Sequence, residues 1–369
     1  MIAAGLTLLI VSGEMLVRGA SNLAATMGIS PLVIGLTVVA FGTSAPELAV
    51  ALQSVLAGKT ELAMGNIVGS NIANILLILG LSALVSPLIV ASQLIRLDVP
   101  VMITANLAVI VLAMDGVIGR WDGFLLFSAL LFYTSWLIRQ SRKASRAVHE
   151  EFKTLTDAPE KSEKKPSLFV QVGLVVVGIL LLGVGAHLLV GGAVKIARLL
   201  GVNELVIGLT VVAVGTSLPE IVTSIMASIR GHRDIAVGNV VGSNLFNILC
   251  VLGLSSIFAP AGIAVSEAVF RFDLPIMIAV SFACLPIFFT GNRVARWEGG
   301  LFFGYYLAYT SYLVLAALQA DVTRTFGVIL IGFVIPLTAI TVLIFFARSV
   351  RNKIREKQSS AESSAGSVE

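Results

Sequence analysis

Apolar stretches long enough to cross about 30 Å of hydrocarbon follow one another along nearly the whole chain, separated by short polar turns. They predict spans over roughly residues 2–25, 31–57, 62–86, 97–117, 121–139, 167–198, 203–229, 235–258, 272–290, 297–318 and 325–347. Residues 75–81 form one continuous apolar run, whereas the strands of a membrane barrel alternate polar and apolar positions. The spans are therefore read as helices, which satisfy their own backbone polar groups in lipid. The stretch 2–25 lacks a basic leader and a small-residue cleavage site, and reads as a first span and not a removed signal. Residues 140–166 interrupt the series with alternating charges, so they read as a solvated linker.

The pattern repeats. IGLTVVAFGTS at residues 34–44 returns as IGLTVVAVGTS at 207–217, and GNIVGSNIANIL at 65–76 returns as GNVVGSNLFNIL at 238–249, both 173 residues later. RLDVP at Arg96 then corresponds to RFDLP at Arg271, RWDG at Arg120 to RWEG at Arg296, and YTSWL at Tyr133 to YTSYL at Tyr309. Each copy holds an odd number of spans, so the second enters the membrane upside down relative to the first. The predicted fold is an all-α polytopic membrane protein with two inverted-topology repeats of five transmembrane helices plus one extra C-terminal helix. In residue numbers this gives a first repeat over 1–139, a cytoplasmic linker over 140–166, a second repeat over 167–318, an additional span over 319–347 and a cytoplasmic tail over 348–369. With the linker cytoplasmic, the N-terminus is outside, the C-terminus is inside, and most of the 25 Lys and Arg fall on the cytoplasmic side.

Composition narrows the class. With 57% hydrophobic and 12% charged residues, the chain is not an ordinary soluble globular domain. Its net charge of +4 suits basic cytoplasmic loops and does not imply nucleic acid. Cys250 and Cys284 lie inside apolar stretches and read as packing residues.

Chemistry concentrates in the second and third spans of each repeat. Glu47 and its repeat partner Glu220 lie near mid-membrane, where an ionised side chain costs several kcal/mol unless compensated. No Lys or Arg stands at comparable depth in these spans, so the natural counter-charge is a mobile cation. GTSAPE and GTSLPE add hydroxyls at Thr43, Ser44, Thr216 and Ser217, and the i, i+4 spacing places Thr43 over Glu47 and Thr216 over Glu220. Pro46 and Pro219 free the carbonyls of Gly42 and Gly215 and kink the helix. A simple kink among small residues accounts for the same motif structurally.

The third span of each repeat offers Ser70 with Asn74, and Ser243 with Asn247, each pair on one helix face. Asn71 and Asn244 suit bridging between helices, and Gly65, Gly69, Gly238 and Gly242 suit close backbone approach. The pooled oxygens fit Na+ or Ca2+. The lack of His or thiolate there disfavours zinc, copper and iron.

These motifs resemble the sodium/calcium exchanger family of the cation/Ca2+ antiporter superfamily, in its prokaryotic type, over roughly residues 2–318. The resemblance implies a secondary antiporter exchanging Ca2+ for Na+ by alternating access at a midplane site, with an H+-coupled or K+-dependent Ca2+/cation antiporter as the alternative. It implies side-chain ligands at Glu47, Glu220, Thr43, Ser44, Thr216, Ser217, Ser70, Ser243, Asn74 and Asn247, backbone oxygens from Ala40 and Ala213, and sliding of the first and sixth spans. Several relatives carry Asp where this chain has Asn247, so two carboxylates remain, enough to balance one Ca2+ or two Na+. The implied substrates are Na+ and Ca2+, and the implied location is the bacterial inner membrane. No cofactor, nucleic acid or obligatory protein partner is implied.

An intramembrane enzyme is disfavoured because no Ser/His, Cys/His or metal-protease arrangement stands at depth. A passive channel fits inverted repeats less well. Asp98 with Arg96, and Asp273 with Arg271, read as interfacial ion pairs or caps. Glu14 and its repeat partner His187 read as lumen-facing or interfacial packing residues, and Trp121, Trp297 and Tyr133 as interface anchors.

Overall fold

A computed structural model describes residues 1–155, 167–202, 204–207, 210–211, 213–289 and 291–319. The helices arrive where the apolar pattern puts them. Span 1 is Ile2–Met27, span 2 is Pro31–Thr43 with Ala45–Leu56, span 3 is Thr60–Val85, span 4 is Leu94–Leu112, and span 5 begins at Arg120. Span 6 is Leu168–Leu199, span 8 is Arg233–Phe258, span 9 is Val269–Phe289 and span 10 is Arg296–Ala317. Span 7 is described in pieces, Glu204–Ile207, Ala213–Thr216 and Leu218–Ile229. The expected eleventh span, the tail and residues 156–166 of the linker lie outside the described residues. The span 5 helix runs on to Leu155, so the polar stretch after residue 139 starts as a helical extension.

Two short additions to the helical design tie the repeats together. Strand β1 (Leu88–Ile89) pairs antiparallel with β4 (Arg293–Val294), and β2 (Val117–Ile118) pairs with β3 (Ile263–Ala264). Each ladder joins the end of one repeat to the other. The RWDG and RWEG copies explain themselves here. Asp122 accepts from the Gly119 N–H at 2.8 Å and Glu298 from the Ala295 N–H at 2.7 Å, each capping its own helix start. Arg120 donates to the Ala259 carbonyl at 3.2 Å and Arg296 to the Val85 carbonyl at 3.4 Å, each closing the third span of the opposite repeat. The neighbouring Trp121 and Trp297 are exposed, as anchoring in the interface requires.

Spans 2, 3, 7 and 8 form the centre, spans 4 and 9 pack on one another, and spans 1 and 6 pack along each other. Small residues set these distances. A Cβ added at Gly5 would stand 2.7 Å from the Leu189 nitrogen, and one at Gly185 would stand 3.0 Å from a Leu9 carbon. Span 8 meets span 2 equally closely. A Cβ at Gly238 would lie 2.9 Å from the Leu32 carbonyl, and one at Gly242 would lie 2.8 Å from the Leu36 carbonyl.

The halves are not in the same state. Gly238, Asn239 and Gly242 are buried, while their repeat partners Gly65, Asn66 and Gly69 are exposed or half-buried. Span 1 also rests on Leu218–Ile229, where Gly13 faces Val222.

Gly242→Ala should therefore lower the unfolding free energy by about 1–3 kcal/mol through overpacking. Gly173→Ala, on an exposed face of span 6 with nothing within 4 Å, should stay within about 0.5 kcal/mol. Thermal unfolding of the purified variants checks the contrast.

Candidate ion-binding site

The site is made by breaking two helices. Proline occupies the first positions of Ala45–Leu56 and of Leu218–Ile229, where its missing N–H costs nothing to the new helix but prevents the preceding one from running through. The joints are Ser44 (φ −84°, ψ 4°) and Ser217 (φ −87°, ψ 7°), and span 2 bends by 43° at its break. Each restart puts a carboxylate, Glu47 or Glu220, in a first helical turn. Unpaired N–H groups and the positive end of the helix dipole favour negative charge there.

Both carboxylates are 1% exposed. They lie close enough to repel one another, and among the described residues no basic group faces either. The Ser217 hydroxyl donates to Glu47 Oε1 at 3.3 Å, and the Ser44 hydroxyl donates to Glu220 Oε1 at 3.1 Å. Each repeat thus holds the acid of the other. The second oxygen of each carboxylate, Oε2, is buried without a partner.

One detail departs from the helical spacing. Thr43 does not cap Glu47 from the preceding turn, because the break at Ser44 redirects the chain. Its hydroxyl turns to Ala40 O at 3.3 Å, to Asn239 Oδ1 at 3.1 Å and towards Ser243 Oγ at 3.5 Å. The Ala40 carbonyl thus accepts both the Thr43 hydroxyl and the Ser44 N–H, the latter at 3.0 Å. In the second half, Ala213 and Thr216 bound the corresponding helical turn.

The opposite wall comes from spans 3 and 8. Ser70, Asn74, Ser243 and Asn247 are all buried. Asn74 leaves both amide atoms unpartnered, and Asn247 leaves its Oδ1 unpartnered. Each Asn opens a π-helical stretch, Asn74–Leu79 or Asn247–Leu252, a geometry that often marks functional sites. Asn71 and Asn244 do bridge and brace helices. Asn71 donates to the Asn244 carbonyl at 3.4 Å, and Asn244 to the Val240 carbonyl at 2.9 Å.

Asn239 is an addition that residue-by-residue reading passed over. It joins Thr43 to Ser224, donating to the Ser224 hydroxyl at 2.9 Å. Its signal was present, since Asn239, Ser243 and Asn247 follow one another at i, i+4 on one face.

Several polar residues outside the site take partners other than those the sequence suggests. Asp98 is fully buried and accepts from the Tyr133 hydroxyl at 2.8 Å and from Gln93 at 3.4 Å. Asp273 accepts from Tyr309 at 2.8 Å, and Arg271 pairs with Glu267. The expected Asp–Arg pairs yield because Arg reaches the interface while Asp turns inward to the following helix. Tyr133 is accordingly a buried donor and not an interface anchor. Glu14 is an ion-pair residue that joins Arg18 on its own helix to Arg230 beyond span 7, at 2.5 and 2.6 Å, while His187 is exposed.

Known proteins resemble this chain in sequence and fold. The family described as sodium/calcium exchanger protein matches residues 1–139 and 170–315. The sodium/calcium exchanger MaX1 of Methanosarcina acetivorans is 33% identical over 83% of this chain and 95% of its own. Inner membrane protein YrbG of Escherichia coli is 38% identical over 76% of this chain and 86% of its own. Among solved structures, the sodium-calcium exchanger NCX_Mj superposes with a TM-score of 0.71 at 31% identity, covering 85% of this chain and 97% of that one. The inverted repeats, the paired acids and these likenesses together make this multi-pass membrane protein a cation antiporter belonging to the sodium/calcium exchanger family.

Proposed function

We propose that the chain exchanges Ca2+ for Na+ by alternating access, binding both ions in turn between Glu47 and Glu220. The supporting observation is the pair of buried, mutually repelling carboxylates, each with one oxygen held by the other repeat and one left free. A cation supplies the charge that no Lys or Arg supplies. Thr43, Ser44, Thr216, Ser217, Ser70, Ser243, Asn74 and Asn247 complete the oxygen cage, with carbonyls of Ala40 and Ala213. Two carboxylates balance one Ca2+ or two Na+, so the ions compete and one must leave before the other binds. An empty site with two unneutralised acids is costly to bury, which couples the change of access to occupancy.

The unequal halves support the access scheme. Gly65 is exposed and Asn66 half-buried where Gly238 and Asn239 are buried. Exchanging these two packings between the inverted repeats turns the site to the other membrane face, with spans 1 and 6 sliding as a pair. The chain sits in the bacterial inner membrane with its N-terminus outside and its C-terminus in the cytoplasm, the arrangement that basic-residue placement favours.

Replacing Glu47 or Glu220 with Gln should cut Na+-driven Ca2+ flux in proteoliposomes by about a hundredfold while the protein remains monodisperse. Flux at the wild-type rate in either variant overturns the site. A Na+ gradient imposed at constant pH should drive isotope Ca2+ uptake. Uptake that follows only a proton or K+ gradient would replace Na+ as the coupling ion.

A further inference from the structure

Asn247 and Asn74 are repeat partners, yet only Asn247 is held by a neighbour. Its Nδ2 donates to Asn71 Oδ1 at 3.1 Å, whereas both amide atoms of Asn74 are unpartnered. An amide has two ends that differ only in chemistry, so its orientation is decided by what surrounds it. For Asn71 the decision is unambiguous. Its Nδ2 faces the Asn244 carbonyl oxygen at 3.4 Å and the Met277 sulfur at 3.6 Å, and both can only accept. Its oxygen must therefore point at Asn247. That oxygen accepts, so Asn247 must present its nitrogen to Asn71 and keep its own oxygen on the other side, where Oδ1 is buried without a partner.

The other repeat lacks this device. Asn244, the partner of Asn71 across the pseudo-two-fold axis, spends its Nδ2 on the Val240 carbonyl of its own helix, and among the described residues no hydrogen-bond partner orients Asn74.

We infer that Asn71 is a positioning residue for the cation site, fixing the Asn247 amide so that it offers oxygen and not N–H to the ion. The inference rests on the exchange reading above. A flipped Asn247 would set two oxygens against each other at Asn71. It would also turn an N–H donor, which repels a cation, to the side where Oδ1 now lies. Asn71 thereby lets a neutral amide act as an ion ligand.

The test follows from symmetry of the side chain. Aspartate at 247 has oxygen at both ends, so its orientation no longer matters. Isotope Ca2+ binding to the full-length purified protein should weaken about tenfold on Asn71→Ala, with Asn71→Leu as a second variant that preserves more of the volume. The same changes made on an Asn247→Asp background should weaken binding less than about twofold relative to that background. Equal losses in both backgrounds, or no loss in either, overturn the inference while leaving the exchange reading intact. A wild-type chain without saturable Ca2+ binding overturns the exchange reading, and the inference falls with it.

Discussion

Two carboxylates facing one another at the centre of a bilayer repel, and each would cost several kcal/mol to bury ionised. The surroundings of Glu47 and Glu220 offset that cost in part. Each acid begins a helix, so backbone N–H groups and the helix dipole favour its charge. Each also accepts one hydroxyl from the opposite repeat. These contacts stabilise one oxygen apiece and stop there, leaving both Oε2 atoms buried and unpaired. On the proposed exchange reading a cation of hard-oxygen preference completes the compensation, and among the described residues no basic group stands beside the acids to take its place.

The rest of the molecule keeps these two acids close to each other. The serine joints work only across the repeats, so neither half can form the site alone. Crossed β ladders and crossed arginine caps fasten the halves at their ends, and backbone contacts at Gly238 and Gly242 fix span 8 on span 2. Spans 1 and 6 are different in kind. They pack along each other through glycines, and Glu14 reaches Arg230 from one of them. An exposed or half-exposed ion pair of this sort contributes about 1 kcal/mol or less, weak enough to be compatible with the sliding of spans 1 and 6 proposed above.

Much of this was legible in the residues. Apolar length gave the described spans, and the repeated GTS-x-PE and GSN-x-x-N segments located the acids, the hydroxyls and the amides. The prolines announced the helix breaks. What the sequence could not carry was partnership between repeats. Helical spacing paired Thr43 with Glu47, but the break at Ser44 sends Thr43 to Asn239 of the other repeat instead. Arg96 and Asp98 are near neighbours in sequence, yet a π-helical turn over Leu94–Asp98 and the adjacent helix give Asp98 to Tyr133. The difference in packing between Gly65 and Gly238 is likewise invisible in two nearly identical motifs, because it belongs to the conformation and not to the residues.

The central claim is that one cation bridges the free oxygens of Glu47 and Glu220. An electron-density map of the Ca2+-loaded protein tests it most directly. The account predicts a single strong peak within coordination distance, about 2.3–2.6 Å, of Glu47 Oε2 and Glu220 Oε2 together. A Ca2+ ion held by one carboxylate alone, or the two acids hydrogen-bonded to each other with the ion elsewhere, would contradict it.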